Sequence, residues 1–236
     1  MAKYSRILLK LSGEALARDS KGLYDHSFLD EVADAIKKCT DEGIGVAVMV
    51  GAGNIWRGAR QGLGMDRHTA DSMGMLATTI NALMLKDTFL RRGMDACVLT
   101  AVEMPAYAEL YTVRTARQYL DEGKVVILGA GIGLPFFSTD TAAALRAAEI
   151  GADVMLMAKN IDGIYTDDPA RNPDAKRLDE ISCREVLRDG LKAIDSTAAA
   201  LTMDTGIPVL VFGLDKAENI YRAAMGETMG TQLTCK

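Results

Sequence analysis

Residues 129–140 combine a run of alternating glycines with side chains that favour the start of a helix. Glycines leave backbone N–H groups open to close approach by a ligand. Ser138, Thr139 and Asp140 then precede an Ala-rich run, where Ser, Thr and Asp are preferred N-caps. Because a Gly-rich turn before a helix N-terminus attracts anions, this stretch predicts either a phosphate-binding loop or an ordinary strand-to-helix turn with a good cap.

Two cationic side chains accompany other predicted strands. Lys10 interrupts the apolar run 7–11, and a buried ammonium needs a counter-charge. Lys10 therefore either reaches solvent at the strand end or points at an anion. Arg57 follows the Gly-rich turn 51–54, where it would either meet a phosphate or lie on the surface.

The loop over residues 159–173 follows a predicted strand and carries several acidic residues. Connections of this length are usually functional or disordered. Tyr165 could stack on a nucleobase, and Asp162 or Asp168 could hold a ribose or a metal. The alternative is a capped surface loop.

Apolar periodicity predicts the elements that position these loops. We expect strands at residues 7–11, 44–50, 96–99, 125–128, 152–157 and 208–212, and an edge strand at 231–234. We expect helices from an N-cap at Ser27 to Cys39, and at 69–92, 113–122, 141–149, 182–189, 196–203 and 216–225. This alternation indicates an α/β fold with a mostly parallel sheet covered on both faces. Since ligands bind at the carboxyl ends of such strands, the loops described above should share one edge.

The predicted helix 69–92 has an unusually wide apolar face. Its apolar residues are Met73, Leu76, Ala77, Ile80, Leu83, Met84 and Leu90. Such a width predicts a helix buried on two sides, one of them against another subunit. Asp71 lies in the first turn, where spacing alone assigns it to the helix dipole.

Composition narrows the class of protein. The 236 residues carry a formal net charge of −5, with 49% hydrophobic and 25% charged residues, which is typical of a globular domain and argues against a generic DNA-binding surface. No cysteine or histidine spacing predicts a zinc site, and scattered thiols are typical of a cytoplasmic protein. The first residues lack a signal-peptide layout, and no apolar run approaches the roughly 20 residues of a membrane span.

The familiar nucleotide and hydrolase motifs are absent from the sequence. There is no G-x-x-x-x-G-K-[ST], no G-x-G-x-x-G and no G-x-S-x-G. A site rich in backbone N–H groups and cations, without an evident general base, suits phosphoryl transfer between two phosphates.

Several segments together resemble the bacterial uridylate kinases of the amino-acid kinase superfamily. They are residues 10–14 (KLSGE), 51–58 (GAGNIWRG), 73–78 (MGMLAT), 133–140 (GLPFFSTD) and 162–165 (DGIY) with Asp168-Pro169. The resemblance covers essentially the whole chain in order. It implies a three-layer α/β/α fold, ATP with Mg²⁺ as donor, UMP as acceptor, and a homohexamer without nucleic-acid or membrane partners. It also implies inhibition by UTP and activation by GTP.

The resemblance implies a role for each matching position. Lys10, Arg57 and Asp140 would be catalytic, with Asp140 orienting Lys10. The ATP-binding set would be Lys10, Leu11, Ser12, Gly13, Gly53, Arg57, Asn160, Tyr165 and Asp168. The UMP-binding set would be Ala52, Asp71, Ile132, Gly133, Leu134, Pro135, Phe136, Phe137, Ser138 and Thr139. The protein itself would supply no metal ligand, because Mg²⁺ arrives with ATP.

The resemblance also implies a single domain with two parts. Residues 1–140 would form the acceptor lobe and residues 141–236 the ATP lobe. Three departures from the family pattern stand out. Ala52 replaces a glycine of many relatives, and residues 18–23 replace a Gly-richer segment linked in relatives to GTP activation. Lys159-Asn160 differs from some relatives in the adenosine loop. The competing hypotheses are a superfamily kinase that acts on a carboxylate or carbamate, and a non-enzymatic nucleotide-binding protein.

Overall fold

The computed structural model describes residues 3–18, 22–57, 64–167, 169, 171–191 and 194–234. Its strands are β1 Arg6–Leu11, β2 Gly45–Val50, β3 Ala96–Thr100, β4 Glu109–Leu110, β5 Val125–Gly129, β6 Val154–Lys159, β7 Ile164–Tyr165, β8 Arg177–Leu178, β9 Glu180–Ser182, β10 Val209–Gly213 and β11 Thr231–Thr234. Its helices are α1 Gly13–Ala17, α2 His26–Asp41, α3 Arg67–Arg91, α4 Val113–Asp121, α5 Thr139–Ile150, α6 Cys183–Asp189, α7 Ser196–Thr205 and α8 Glu218–Ala224.

Within the described residues, nine strands form one sheet in the order β4-β3-β5-β2-β1-β6-β10-β11-β9. The first seven strands in this order, β4-β3-β5-β2-β1-β6-β10, are all parallel to their neighbours. Strand β11 runs antiparallel to β10, and β9 runs parallel to β11. The prediction of an α/β fold with a mostly parallel sheet is confirmed. Because β1, β2, β5 and β6 are parallel neighbours, their carboxyl ends meet at one edge.

Apolar helices cover both faces of this sheet, so the predicted three layers are confirmed. Alternate residues of β1 face opposite sides: Leu9 packs with Phe28 of α2 and Phe89 of α3. Leu8 belongs to the core on the other face, to which the alanines of α5 and α7 contribute. The strands are apolar on both faces because both faces are covered.

The start of α2 differs from the sequence prediction. Asp25, rather than Ser27, is the N-cap, since its carboxylate accepts the Phe28 N–H at 3.1 Å. Ser27 lies inside the first turn and donates its hydroxyl to Asp25 at 2.6 Å. Both residue types can cap a helix, and sequence spacing alone did not distinguish them.

The prediction that β11 is an edge strand is also wrong. Leu233 pairs with Val209 of β10 on one side and with Ile181 of β9 on the other. Strand β9 has only three residues, too few to show an alternating pattern in the sequence.

The cysteines are not all free thiols. Cys39 and Cys97 are free, and burial raises their pKa values, to about 12 for Cys39 and about 11 for Cys97. Cys183 is disulfide-bonded, so the expectation of scattered thiols is wrong there. None of the helices formed by the described residues has the length and hydrophobicity that a membrane crossing requires.

The interior position of β11 predicts that Leu233→Ala is strongly destabilising. The side chain is fully buried, and truncating a buried leucine costs about 2–5 kcal/mol. Denaturant unfolding measures the loss. Gln232→Ala, at the neighbouring half-buried position, is the matched control and should cost much less. Equal effects of the two substitutions would contradict this packing.

Candidate active site

The Asp140 carboxylate lies between two lysine ammonium groups at the shared strand edge. Lys10 Nζ of β1 is 2.8 Å from Asp140 Oδ1. Lys159 Nζ, at the end of β6, is 2.9 Å from Asp140 Oδ2. Lys10 is buried, and the Asp140 and Lys159 side chains are largely so. We call these three residues the charge cluster; its net charge is positive.

The charge cluster shifts the titration of its members. Burial alone would raise the pKa of Asp140, but Lys10 and Lys159 outweigh it and the pKa is lowered. Burial and the nearby charge of Lys10 lower the pKa of Lys159, and Asp140 only partly offsets them. Asp140 is therefore ionised at neutral pH, and Lys159 is easier to deprotonate than an ordinary lysine.

The turns after β1 and β2 touch each other beside this cluster. A Cβ on Gly13 would lie 2.4 Å from the Gly53 nitrogen and 2.6 Å from the Gly51 oxygen. Only glycine allows this approach. Ser12 is the N-cap of α1 and makes no side-chain capping bond, and Leu11 before it is buried in the sheet.

Arg57 extends from the turn after β2 toward α1. Its guanidinium is 2.9 Å from Glu14 Oε1, and its Nε donates to the Gly53 carbonyl at 2.9 Å. Behind the turn, the buried Asn81 side chain donates to the Gly51 carbonyl at 2.7 Å and exchanges hydrogen bonds with Asn54. The turn is thus anchored from both sides.

Ala52 offers its N–H as a glycine would. Among the described residues other than glycine, positive φ angles occur at Arg18, Ala130 and Phe136, so Ala52 has a negative φ. The replacement of glycine by alanine therefore introduces no backbone strain in this turn.

A cavity of about 190 Å³ is lined in part by Thr139, the residue before Asp140; we call it the smaller cavity. The predicted acceptor residues that line it are Ala52, Asp71, Ile132, Leu134, Phe137, Ser138 and Thr139. Trp56 also lines it and donates its indole N–H to the Ala70 carbonyl at 2.8 Å. Gly133, Pro135 and Phe136 belong to the same loop but lie away from this lining.

A cavity of about 950 Å³ is lined in part by Asn160, the residue after Lys159; we call it the larger cavity. The predicted donor residues that line it are Gly53, Arg57, Asn160 and Tyr165. Glu14, Arg18, Asp162 and Asp215 contribute charged or polar groups. Asp168, also predicted for this site, lies outside the described residues. So do residues 19–21 of the segment 18–23, which differs from the family pattern. Gly53 lines both cavities, so the two meet there.

Asp71 holds the acceptor-side loop. Its Oδ2 accepts the Phe136 N–H at 2.8 Å and pairs with Arg67 at 2.8 Å. Phe136 has a φ of 72°, in the left-handed region that a bulky side chain adopts only under constraint. Asp71 therefore does more than complement the helix dipole, because it fixes a strained turn.

Ser138 caps α5 and begins a polar link to α7. Its hydroxyl accepts the N–H groups of Asp140 and Thr141 and donates to Asp195. Asp195 also accepts from Thr141 Oγ1 at 3.0 Å and caps α7 through Ala198 N–H. The start of α5, and with it Asp140, is fixed by these bonds.

Sequence reasoning missed Lys159, Asp195 and Glu14 as site residues. Lys159 carried a signal, because it is a lysine at the end of an apolar strand, and Lys10 lies one residue before the end of β1. Asp195 and Glu14 carried none, since their importance comes from contacts with segments distant in the chain.

Comparisons with known proteins agree with this geometry. The Amino acid kinase family matches residues 5–213. The UMP kinase of Bacillus anthracis is 36% identical with a TM-score of 0.94, over 99% of this chain and 97% of that one. The UMP kinase of Ureaplasma parvum is 34% identical with a TM-score of 0.91, over 98% of each chain.

This chain belongs to the amino acid kinase family. A uridylate kinase from Archaeoglobus fulgidus is also similar, at 27% identity and a TM-score of 0.74, over 97% of this chain and 99% of that one. The family model includes the charge cluster and all residues that line the two cavities except Leu214 and Asp215.

The contact between the two turns predicts that Gly13→Ala is damaging. The added Cβ would push the turns after β1 and β2 apart, at a cost of about 1–3 kcal/mol in stability, and would displace Gly53 where the cavities meet. Denaturant unfolding and ligand-binding titrations measure the two effects. Gly22→Ala is the control, because its nearest neighbour would be 3.8 Å away. A Gly13→Ala protein that matches the wild type would contradict this constraint.

Proposed function

We propose that this chain transfers the γ-phosphoryl group of ATP to UMP, giving ADP and UDP. The observation that carries the proposal is that Gly53 lines both cavities and that the charge cluster is adjacent in the chain to residues of each. Asp140 directly follows Thr139 of the smaller cavity, and Lys159 directly precedes Asn160 of the larger one. The similarity to UMP kinases in three organisms supports the choice of reaction.

The chemistry requires alignment and charge neutralisation rather than a general base. A phosphate monoester is largely ionised near pH 7, so the acceptor oxygen needs no deprotonation. Lys10 and Lys159 supply positive charge where the transferred group gains negative charge. Asp140 holds both ammonium groups in place and limits their mutual repulsion. Arg57 and the backbone N–H groups of the turns after β1 and β2 complete the phosphate environment.

In this proposal UMP occupies the smaller cavity, and the adenosine of ATP occupies the larger one. Asp71 lies within reach of the acceptor sugar, and the loop from Ile132 to Thr139 surrounds the acceptor phosphate and base. Asn160 and Tyr165 contact the donor nucleoside. The acceptor lobe of residues 1–140 and the ATP lobe of residues 141–236 describe this division only approximately, because Arg57 and Glu14 also line the larger cavity.

Mg²⁺ is proposed to enter with ATP. Across the described residues, no group of three His, Cys, Asp or Glu side chains is placed to hold a metal ion. Phosphate-bound Mg²⁺ typically takes most of its ligands from the nucleotide and water, which fits such a site. The cation would neutralise phosphate charge, while Lys10 and Lys159 orient the transferred group.

A homo-oligomer is proposed from the exposed face of α3, and its number of subunits, six, from the sequence resemblance. Leu76 and Ile80 are 55% and 52% exposed, and Met73 lies on the same face. Adjacent exposed apolar side chains favour a protein partner. Inhibition by UTP, activation by GTP and a role in pyrimidine biosynthesis remain predictions from the sequence resemblance. A cytoplasmic location remains a prediction from the cysteine pattern.

A substrate panel tests the proposed reaction. With Mg²⁺ and ATP, we expect ADP to form rapidly with UMP and far more slowly with CMP, AMP or acetylglutamate. A coupled assay for ADP measures each rate, and a reaction without acceptor is the control. Equal rates across the panel, or a preference for the carboxylate, would contradict the acceptor assignment.

The lowered pKa of Lys159 predicts the alkaline limb of the pH profile. Lys159 loses its proton at a pH below 10.5, the ordinary pKa of lysine, so kcat/KM for ATP should begin to fall below that pH. Lys159→Arg keeps its charge, so its alkaline fall should move to higher pH. Lys37→Arg, at an exposed lysine paired with Asp41, is the control. Superimposable profiles for the wild type and Lys159→Arg would refute this role.

The exposed face of α3 predicts a change of assembly on mutation. The double variant Leu76→Asp, Ile80→Asp should sediment as a smaller species than the wild type, because buried charges destabilise an apolar interface. Light scattering at micromolar concentration measures the mass. Leu23→Asp, an exposed leucine outside α3, is the matched control. A monomeric wild type would contradict the oligomer.

A further inference from the structure

We propose that Asp162 is a positioning residue. It holds the ring of Tyr165 at the wall of the larger cavity, in the orientation in which the ring contacts the donor nucleoside. The inference rests on the proposed function, because that function assigns ATP to this cavity. It gives Asp162 a role that the sequence did not predict.

Both carboxylate oxygens of Asp162 are engaged by side chains. The Tyr165 hydroxyl donates to Oδ1 at 2.8 Å, and the Arg177 guanidinium donates to Oδ2 at 3.0 Å. The Tyr165 bond lowers the pKa of Asp162, slight burial opposes it, and Arg177 adds to the lowering. The carboxylate therefore accepts both bonds in its ionised form at neutral pH.

The backbone beneath this arrangement is fixed to the main sheet. A Cβ on Gly163 would lie 2.7 Å from Thr231 Oγ1, so the turn packs directly against β11. The buried Thr231 hydroxyl accepts the Ile164 N–H at 2.7 Å. The end of β10 packs on the other side, since a Cβ on Gly213 would lie 3.0 Å from Asp162 Cα. Asp162 therefore starts from a rigid base.

The hydrogen bonds of Asp162 to Tyr165 and Arg177 connect the aromatic ring to this fixed backbone. Tyr165 and Arg177 are directly opposed in the β7–β8 ribbon, and Asp162 reaches both. Tyr165 is only partly buried, so without the Asp162 bond its ring would be free to change rotamer. Ordering a free side chain on binding weakens affinity, whereas a ring already held avoids that loss. The effect should appear in donor binding and not in the rate of phosphoryl transfer.

Calorimetric titration with Mg·ATP, without acceptor, tests the proposal. Asp162→Ala should raise the Kd for ATP about fivefold, the scale of one partly exposed hydrogen bond. Tyr165→Phe keeps the ring, loses the hydroxyl, and should raise the Kd similarly. If Asp162 acts through that hydroxyl, the double variant should bind ATP no more weakly than Tyr165→Phe alone. Asp162→Asn, which retains an acceptor oxygen, should restore most of the affinity.

Asp179→Ala is the matched control. Its carboxylate is 3.6 Å from the same Arg177 guanidinium but does not contact Tyr165, so its Kd for ATP should stay at the wild-type value. In steady-state assays, Asp162→Ala should raise KM for ATP while leaving kcat and KM for UMP unchanged. A merely structural role would alter all three together.

Contradictory results are distinguishable from failure of the proposed function. Additive effects of Asp162→Ala and Tyr165→Phe, or an unchanged Kd in Asp162→Ala, would overturn the positioning role. A wild type that binds ATP but does not phosphorylate UMP would overturn only the acceptor assignment. A wild type that binds no ATP would overturn this inference together with the donor assignment.

Discussion

The architecture depends on a carboxylate held between two ammonium groups at a place largely removed from water. Lys10 and Lys159 would repel each other without Asp140, and Asp140 would be costly to bury without them. Removing one partner of a buried ion pair typically costs about 3–5 kcal/mol, because the remaining charge is left uncompensated. The net positive charge of the cluster is what a transferred phosphoryl group would neutralise.

The parallel sheet explains how three distant residues arrive at one point. Strands β1 and β6 are neighbours, with Lys10 opposite Met157, so Lys159 projects from the same edge two residues further along. Helix α5 begins at that edge, and Ser138 caps it with Asp140 in its first turn. Asp195 braces the same helix start from α7. Each contact is short range, but together they bring Lys10, Lys159 and Asp140 to one point.

Much of this arrangement could be predicted from residue patterns. Continuous apolar runs marked the central strands. Lys10 inside the first run and Arg57 after the second marked the edge of the sheet at which the candidate site lies. Asp162, Asp195 and Glu14 could not be assigned, because their partners lie in segments that only the fold brings together. Strand β9 was missed because three residues are too few to show an alternating apolar pattern. The cap at Asp25 was missed because Ser27, two residues later, is an equally good capping residue type.

The most direct test of the charge cluster is the turnover of Asp140→Asn, with ATP and UMP both saturating. The substitution keeps the size of the side chain but removes the negative charge that pairs with Lys10 and Lys159. We expect kcat to fall by roughly 10²-fold or more, the scale of lost transition-state charge stabilisation. Circular dichroism checks that the variant remains folded. A folded Asp140→Asn enzyme with wild-type kcat would contradict the central role of this carboxylate.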